Sequence, residues 1–241
     1  MTYIDGFLLA VPTARRDDYH DHAVKGAALM RQAGATRQVE GWGDDVPHGT
    51  LTDYHRAVAA TDDETVVFSW IEYSDKAARN AAAQHVMAAP EMADLAASMP
   101  GDGRRMIYGG FEVIVDTDPN RDAATPTSYL DGFVVPARDR PRYTEAAQRA
   151  ATVFCDHGAI RVVEAWGDDV PLGTLTSFPR AVMLEEGESV AFSWVEWPSK
   201  EERDRGMAAV MADPRMQAPP AEMGFDGKRL IHGGFEILLN D

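Results

Sequence analysis

The sequence lacks several things that would have named a function class at once. It has one cysteine in 241 residues, which excludes an internal disulfide and any zinc site built on several cysteines. It lacks positive charge: 23 Lys and Arg stand against 39 Asp and Glu, a formal net charge of −16. That balance leaves no basic excess to neutralise phosphates, so nucleic acid and anionic membrane surfaces are excluded as partners. No apolar run is long enough to span a bilayer. The first residues, Met1-Thr2-Tyr3-Ile4-Asp5, have neither the basic region nor the apolar stretch of a secretory signal, and a cytoplasmic protein is expected. No glycine-rich loop joins a strand to a helix, so the phosphate-binding motifs are missing. The seven histidines show no metal-ligand spacing, and neither a metal nor a tightly bound cofactor is implied.

What is present is an internal repeat. Asp44-Asp45-Val46-Pro47 recurs as Asp168-Asp169-Val170-Pro171, Phe68-Ser69-Trp70 as Phe192-Ser193-Trp194, and Gly109-Gly110-Phe111-Glu112 as Gly233-Gly234-Phe235-Glu236. The offset is constant from Tyr19 and Tyr143 to the end. The opening strands align two residues further apart, Tyr3-Ile4-Asp5-Gly6-Phe7 with Tyr129-Leu130-Asp131-Gly132-Phe133. Copies of this length are domain-sized units rather than solenoid repeats. We divide the chain into a first repeat over 1–116, a polar, proline-bearing linker over 117–128, and a second repeat over 129–241.

Each copy reads strand, helix, strand, strand, helix, strand. Alternation predicts a strand from Tyr3 to Val11. Helical spacing follows from about Ala14 to Ala33, with Gly34 at the C-terminal cap. A strand over Thr36 to Trp42 leads into a turn-rich loop at Gly43-Asp44-Asp45-Val46-Pro47-His48-Gly49, and Leu51 to Ala59 forms an added arm or strand. Strands at Val66 to Tyr73 and Met106 to Val115 flank a helix capped by Ser74 or Asp75 that stops before Pro90. Ser199 and Glu202 are spaced as a capping box. This order is the ferredoxin-like β-α-β-β-α-β unit of an α+β protein. Its sheet carries helices on one face. Two fused copies cover each other's bare face, and their antiparallel sheets pack face to face as one pseudo-dimeric α/β barrel.

Alternation also divides each strand into two faces. One carries Ile4, Gly6 and Leu8; Val39 and Gly41; Val67, Ser69 and Ile71; Ile107, Gly109 and Phe111, with glycines that let helices approach. The other carries Asp5, Glu40, Trp42, Phe68, Trp70, Tyr108 and Glu112, and in the second copy Asp131, Glu164, Trp166, Phe192, Trp194, His232 and Glu236. The second set is the face expected to line the barrel interior, as a polar and aromatic ligand cavity.

Tyr-x-Asp-Gly-Phe, Gly-Asp-Asp-Val-Pro, Phe-Ser-Trp, Val-Met-x-x-Pro-x-Met and the closing Arg-x-Ile-x-Gly-Gly-Phe-Glu, present in both halves, resemble the YbaA-like family of bacterial proteins, domain of unknown function 1428. The resemblance implies the dimeric α/β-barrel superfamily, in which two ferredoxin-like units complete one barrel. It supplies no function. The monooxygenases and isomerases of that superfamily enter by fold analogy alone.

The candidate catalytic residues are Asp5, Glu40, Glu112, Asp131, Glu164 and Glu236, together with Tyr108 and His232. Carboxylates sharing a cavity have raised pKa values and can act as general acids or bases. Tyr108 and His232 are equivalent positions that differ, so the halves have diverged, and an imidazole at 232 is a candidate acid–base group. The alternative is that the carboxylates pair with the recurring Arg56, Arg105, Arg180 and Arg229. Trp42, Trp70, Trp166 and Trp194 stack on a planar ligand or fill a core, and the same arginines are the candidate polar ligand contacts. Met87, Met92, Met211 and Met216 read as helix-packing residues.

Two readings follow. In one, the chain binds a small molecule in the barrel interior and works as a cofactor-independent acid–base enzyme. In the other, it is a non-catalytic stress-related or structural barrel with a filled interior. Fusion allows a monomer with an internal pseudo-dimer, or a homo-oligomer of it.

Overall fold

A computed structural model describes residues 1–117, 126–217 and 223–241. Most of the linker expected over 117–128 lies outside them. The first repeat contains β1 (Tyr3–Pro12), α1 (Arg16–Ala33), β2 (Arg37–Asp45), α2 (Tyr54–Ala57), β3 (Glu64–Tyr73), α3 (Lys76–Ala88), α4 (Glu91–Ala97) and β4 (Ile107–Asp116). The second contains β5 (Tyr129–Ala137), α5 (Arg140–Asp156), β6 (Arg161–Asp169), α6 (Phe178–Ala181), β7 (Ser189–Trp197), α7 (Lys200–Ala212) and β8 (Ile231–Asn240).

The local signals are realised in the caps. Gly34 takes φ 109°, the left-handed conformation that ends α1 at little steric cost. Asp75, rather than Ser74, accepts from the Ala78 amide to start α3, and the Ser199 hydroxyl accepts from the Glu202 amide to start α7. Two boundaries differ from expectation. The arm over Leu51–Ala59 contains the one-turn helix α2, capped by Asp53. Gly43-Asp44-Asp45 extends β2 rather than opening a loop, because β8 of the other repeat supplies a pairing partner as far as Asp45.

The eight strands close into one antiparallel barrel in the order β1-β3-β2-β8-β5-β7-β6-β4. Each repeat supplies four neighbouring strands. The seams are β2 with β8 and β4 with β6, so neither half keeps an open edge.

Register corrects the assignment of faces. Residues directly opposite in a ladder share a face. Ile4 lies opposite Glu72, Gly6 opposite Trp70, and Leu8 opposite Phe68. The interior therefore receives Ile4, Gly6 and Leu8 together with Phe68, Trp70 and Glu72. Asp5, Glu40, Trp42, Asp131, Glu164 and Trp166 turn outwards, towards the helices. The inward glycines make room for rings rather than helices. A Cβ on Gly6 would stand 3.1 Å from the Phe192 ring, and one on Gly132 would stand 2.6 Å from that of Phe68.

Those rings fill the barrel. Phe68 stacks on Phe192 at 4.5 Å and Trp70 on Trp194 at 4.2 Å, each pair joining the two repeats. Tyr54 of α2 and Phe178 of α6 pack into the same core. Near the stacked tryptophans, Arg37 donates twice to Glu196 at 2.7 and 2.9 Å. Arg161 donates twice to Glu72 at 2.8 and 3.1 Å. Each indole N–H donates at 3.0 Å to the glutamate two residues on.

The Asp-Asp pairs join the repeats from outside. Asp168 accepts from Tyr3 at 2.9 Å and pairs with Lys76, while Asp169 pairs with Arg79 at 2.8 Å. Asp44 accepts from Tyr129 at 2.9 Å and pairs with Lys200, and Asp45 pairs with Arg203 at 2.7 Å. The repeated motif is a reciprocal clamp onto the other half's second main helix.

Candidate functional site

A deeply placed carboxylate normally needs a cation, and most here have one. Asp5 accepts from Arg79 at 2.8 Å. Asp131, 2% exposed, accepts from Arg203 at 2.6 Å and from the Trp197 indole at 2.9 Å. Glu72 and Glu196 hold Arg161 and Arg37. Buried Asp53 lies 3.5 Å from Arg56. Among the described residues, Glu40 and Glu164 lie deep in the protein and form no ion pair.

These two are equivalent positions on β2 and β6, facing the helix on their own side. Each accepts from a tyrosine of that helix, Glu40 from Tyr19 at 2.8 Å and Glu164 from Tyr143 at 2.6 Å. Ser69 and Ser193 are also hydrogen-bonded to them. Their surroundings then diverge. Gln38 donates a further hydrogen bond to Glu40 at 2.8 Å, and Glu40 is 6% exposed. The residue at the position of Gln38 is Val162, which can donate nothing from its side chain. Glu164 keeps partial access, because it opens onto a cavity. Desolvation raises both carboxyls, and it takes Glu164 up to about 7.

The cavity holds about 240 Å³ between the outer face of β5 and β7 and helices α5 and α7. Its walls include Phe133, Phe154, Val195, Val210, Met207 and Leu230, with Arg149 and Arg215 also lining it. Met211 and Met216, expected to pack helices, line it as well, whereas Met87 is 83% exposed. Arg215 is paired with Asp156 and Asp213, both at 2.7 Å. In the first repeat the corresponding residues form one apolar cluster, beside a groove lined by Lys25, Leu29, Glu91 and Leu95. Leu9, Ala23, Met99 and Met106 close around Tyr19, and the Leu95 side chain approaches Gly26.

The remaining candidates are dispersed. Glu112 pairs with Arg140 and Glu236 with Arg16, both near the surface. Tyr108 is 51% exposed and His232 is exposed against the Phe133 ring. Trp42 packs on Tyr19, and Trp166 on Tyr143. Trp70 and Trp194 are the stacked interior pair. Arg56 and Arg180 bond backbone carbonyls of their own arms. Arg105 and Arg229 pair with Glu64 and Glu188. The arginines that hold the candidate carboxylates Asp5 and Asp131 are thus Arg79 and Arg203, and those on Glu72 and Glu196 are Arg161 and Arg37.

Residues missed from sequence are Tyr143 and Ser193 at the cavity, Val162 beside Glu164 on β6, and the arginines Arg37, Arg79, Arg161 and Arg203. The recurrence of Arg37 as Arg161 and of Arg79 as Arg203 at the constant offset was the available signal.

Among solved structures, the fold is similar to a putative monooxygenase from Fusobacterium nucleatum subsp. nucleatum. The TM-score is 0.60 at 10% identity, over 100% of this chain and 94% of that one. It is also similar to an anthrone oxidase-like protein, with TM-score 0.51 at 12% identity, over 100% and 92%. Identities this low carry the fold and no chemistry. In sequence, the chain is 53% identical over 116 residues to the uncharacterized protein YbaA of Escherichia coli K12, a match covering 48% of this chain and 99% of that protein. Residues 2–103 and 128–227 both match the family model described as protein of unknown function (DUF1428), and the chain belongs to that family in two tandem copies.

Proposed function

We propose that the chain binds a small molecule in the second repeat's cavity and that Glu164 is its acid–base group. One observation carries this reading: a deep carboxyl without a cation faces an apolar cavity, while comparable carboxylates are paired or closed off. A carboxyl poised near neutrality can both give and take a proton at working pH. Tyr143 and Ser193 fix its orientation. The seat of binding is the space between sheet and helices, because aromatic rings occupy the barrel interior. That packed interior also favours a second reading, binding without catalysis.

Native mass spectrometry of protein purified from cells tests the seat. The wild type is expected to carry a mass excess that is lost on denaturation. Ala150→Trp, which fills the cavity from α5, should fold and arrive bare. An equal excess in the variant, or a bare wild type, counts against the cavity. Turnover abolished by Glu164→Gln, with the ligand still bound, separates catalysis from binding alone.

A further inference from the structure

The floor of the cavity restricts what can reach Glu164. Among the described residues, the polar groups around it come from three elements. From α5 come the Tyr143 hydroxyl and, in the cavity lining, Arg149. From β7 comes the Ser193 hydroxyl. The segment after α7 brings Arg215, already held by Asp156 and Asp213. The strand neighbours Val163 and Ala165 are apolar. Arg149 is an exposed residue. Among the described residues, Glu164 itself is bonded by hydroxyls and by no guanidinium, unlike Asp5, Asp131, Glu72 and Glu196, and the Arg215 guanidinium in the cavity wall is already engaged by two carboxylates.

An anionic head group brought to this floor would lose its water among apolar walls and meet a carboxyl instead of a cation. A neutral carbonyl would meet a donor, because Glu164 in its acid form has an O–H to give. We infer that the site selects a neutral molecule of one or two rings bearing a carbonyl that accepts a hydrogen bond from protonated Glu164. This rests on the cavity being the binding site. The volume, about 240 Å³, accommodates a ring system of that size.

The inference makes binding proton-linked. The raised Glu164 carboxyl, about 7, sets where the donor is lost. Only the protonated fraction binds the carbonyl, so apparent affinity follows that fraction.

A nearly isosteric pair of probes tests the class: 2-acetylnaphthalene, a neutral ketone, and 2-naphthoate, its anionic counterpart. Equilibrium dialysis against the whole protein at pH 6 and pH 8 gives both affinities. The ketone should bind about tenfold more weakly at pH 8 than at pH 6. Naphthoate should bind at least about tenfold more weakly than the ketone at pH 6. Glu164→Gln keeps an N–H donor at both pH values, so its ketone affinity should not change with pH.

Naphthoate binding as well as the ketone, with Arg149→Ala removing that binding, overturns the neutral class and leaves the cavity standing. Ketone affinity that is flat with pH in the wild type overturns the proton link. Binding of neither probe, while cell-derived protein keeps its mass excess, also overturns the class alone. Ketone binding unaffected by Ala150→Trp overturns the cavity itself.

Discussion

Glu164 and Glu40 are the same residue on the same strand position, and one neighbour separates them. A carboxyl raised to about 7 stays protonated in the folded chain after its unfolded counterpart has ionised. Folding then takes up a proton, and stability falls as pH rises from about 4.5 to about 7, levelling above that. The full effect is up to about 3 kcal/mol. Glu164→Gln removes it. In urea denaturation, the variant should gain on the wild type by up to that amount between pH 4.5 and pH 8. Glu40 contributes equally to both proteins and cancels. A difference independent of pH would show that Glu164 titrates normally. Val162→Gln supplies the donor that Glu40 already has, and should lower the midpoint of the wild-type fall by about one pH unit. Glu164 was legible in sequence as one of eight candidates. Its distinction was not, because the contrast lies in which side chains share its pocket, and Gln38 against Val162 looks like ordinary drift until the strands are paired.

At the scale of elements, the order of strands and helices and most caps could be read from periodicity and cap residues. The faces could not. In sequence, the glycines of β1, β2 and β4 suggest close helix packing, but inside the barrel Gly6 makes room for Phe192, Gly41 for Phe235 and Leu130, and Gly109 for Phe111 and Phe178. Register decides that question, and it depends on pairing between strands distant in sequence. The same pairing turns Asp44-Asp45 and Asp168-Asp169 from turn chemistry into clamps. Their two layers differ in worth. Arg203→Met leaves Asp131 charged, 2% exposed and without its guanidinium, which should cost about 3–5 kcal/mol. Asp45 has a side chain 54% exposed, so Asp45→Ala should cost no more than about 1 kcal/mol. Chemical denaturation of the two variants compares them. Equal losses would mean that the outer layer of the clamp, not the buried pair, holds α7 to the sheet.

At the scale of the whole molecule, duplication lets the two halves of one chain differ. A barrel assembled from two identical chains carries two identical cavities. Covalent fusion lets them diverge, and here Gln38 and Tyr19 cover Glu40 while Glu164 opens onto its cavity. That divergence is tolerable only if the halves stabilise each other as a unit, and the core argues that they do. Phe192 of the second repeat stacks on Phe68 of the first and also contacts Phe111, another first-repeat ring. The sheets themselves continue across both seams. No plane through the molecule separates two independent cores. Phe192→Ala removes a ring at this junction and should cost about 3–5 kcal/mol. Native-state hydrogen exchange should then show the same loss of protection at core amides of β3 and β7, because both open only by global unfolding. A loss confined to the second repeat would mean that each half folds alone and the barrel is a docking of two finished domains.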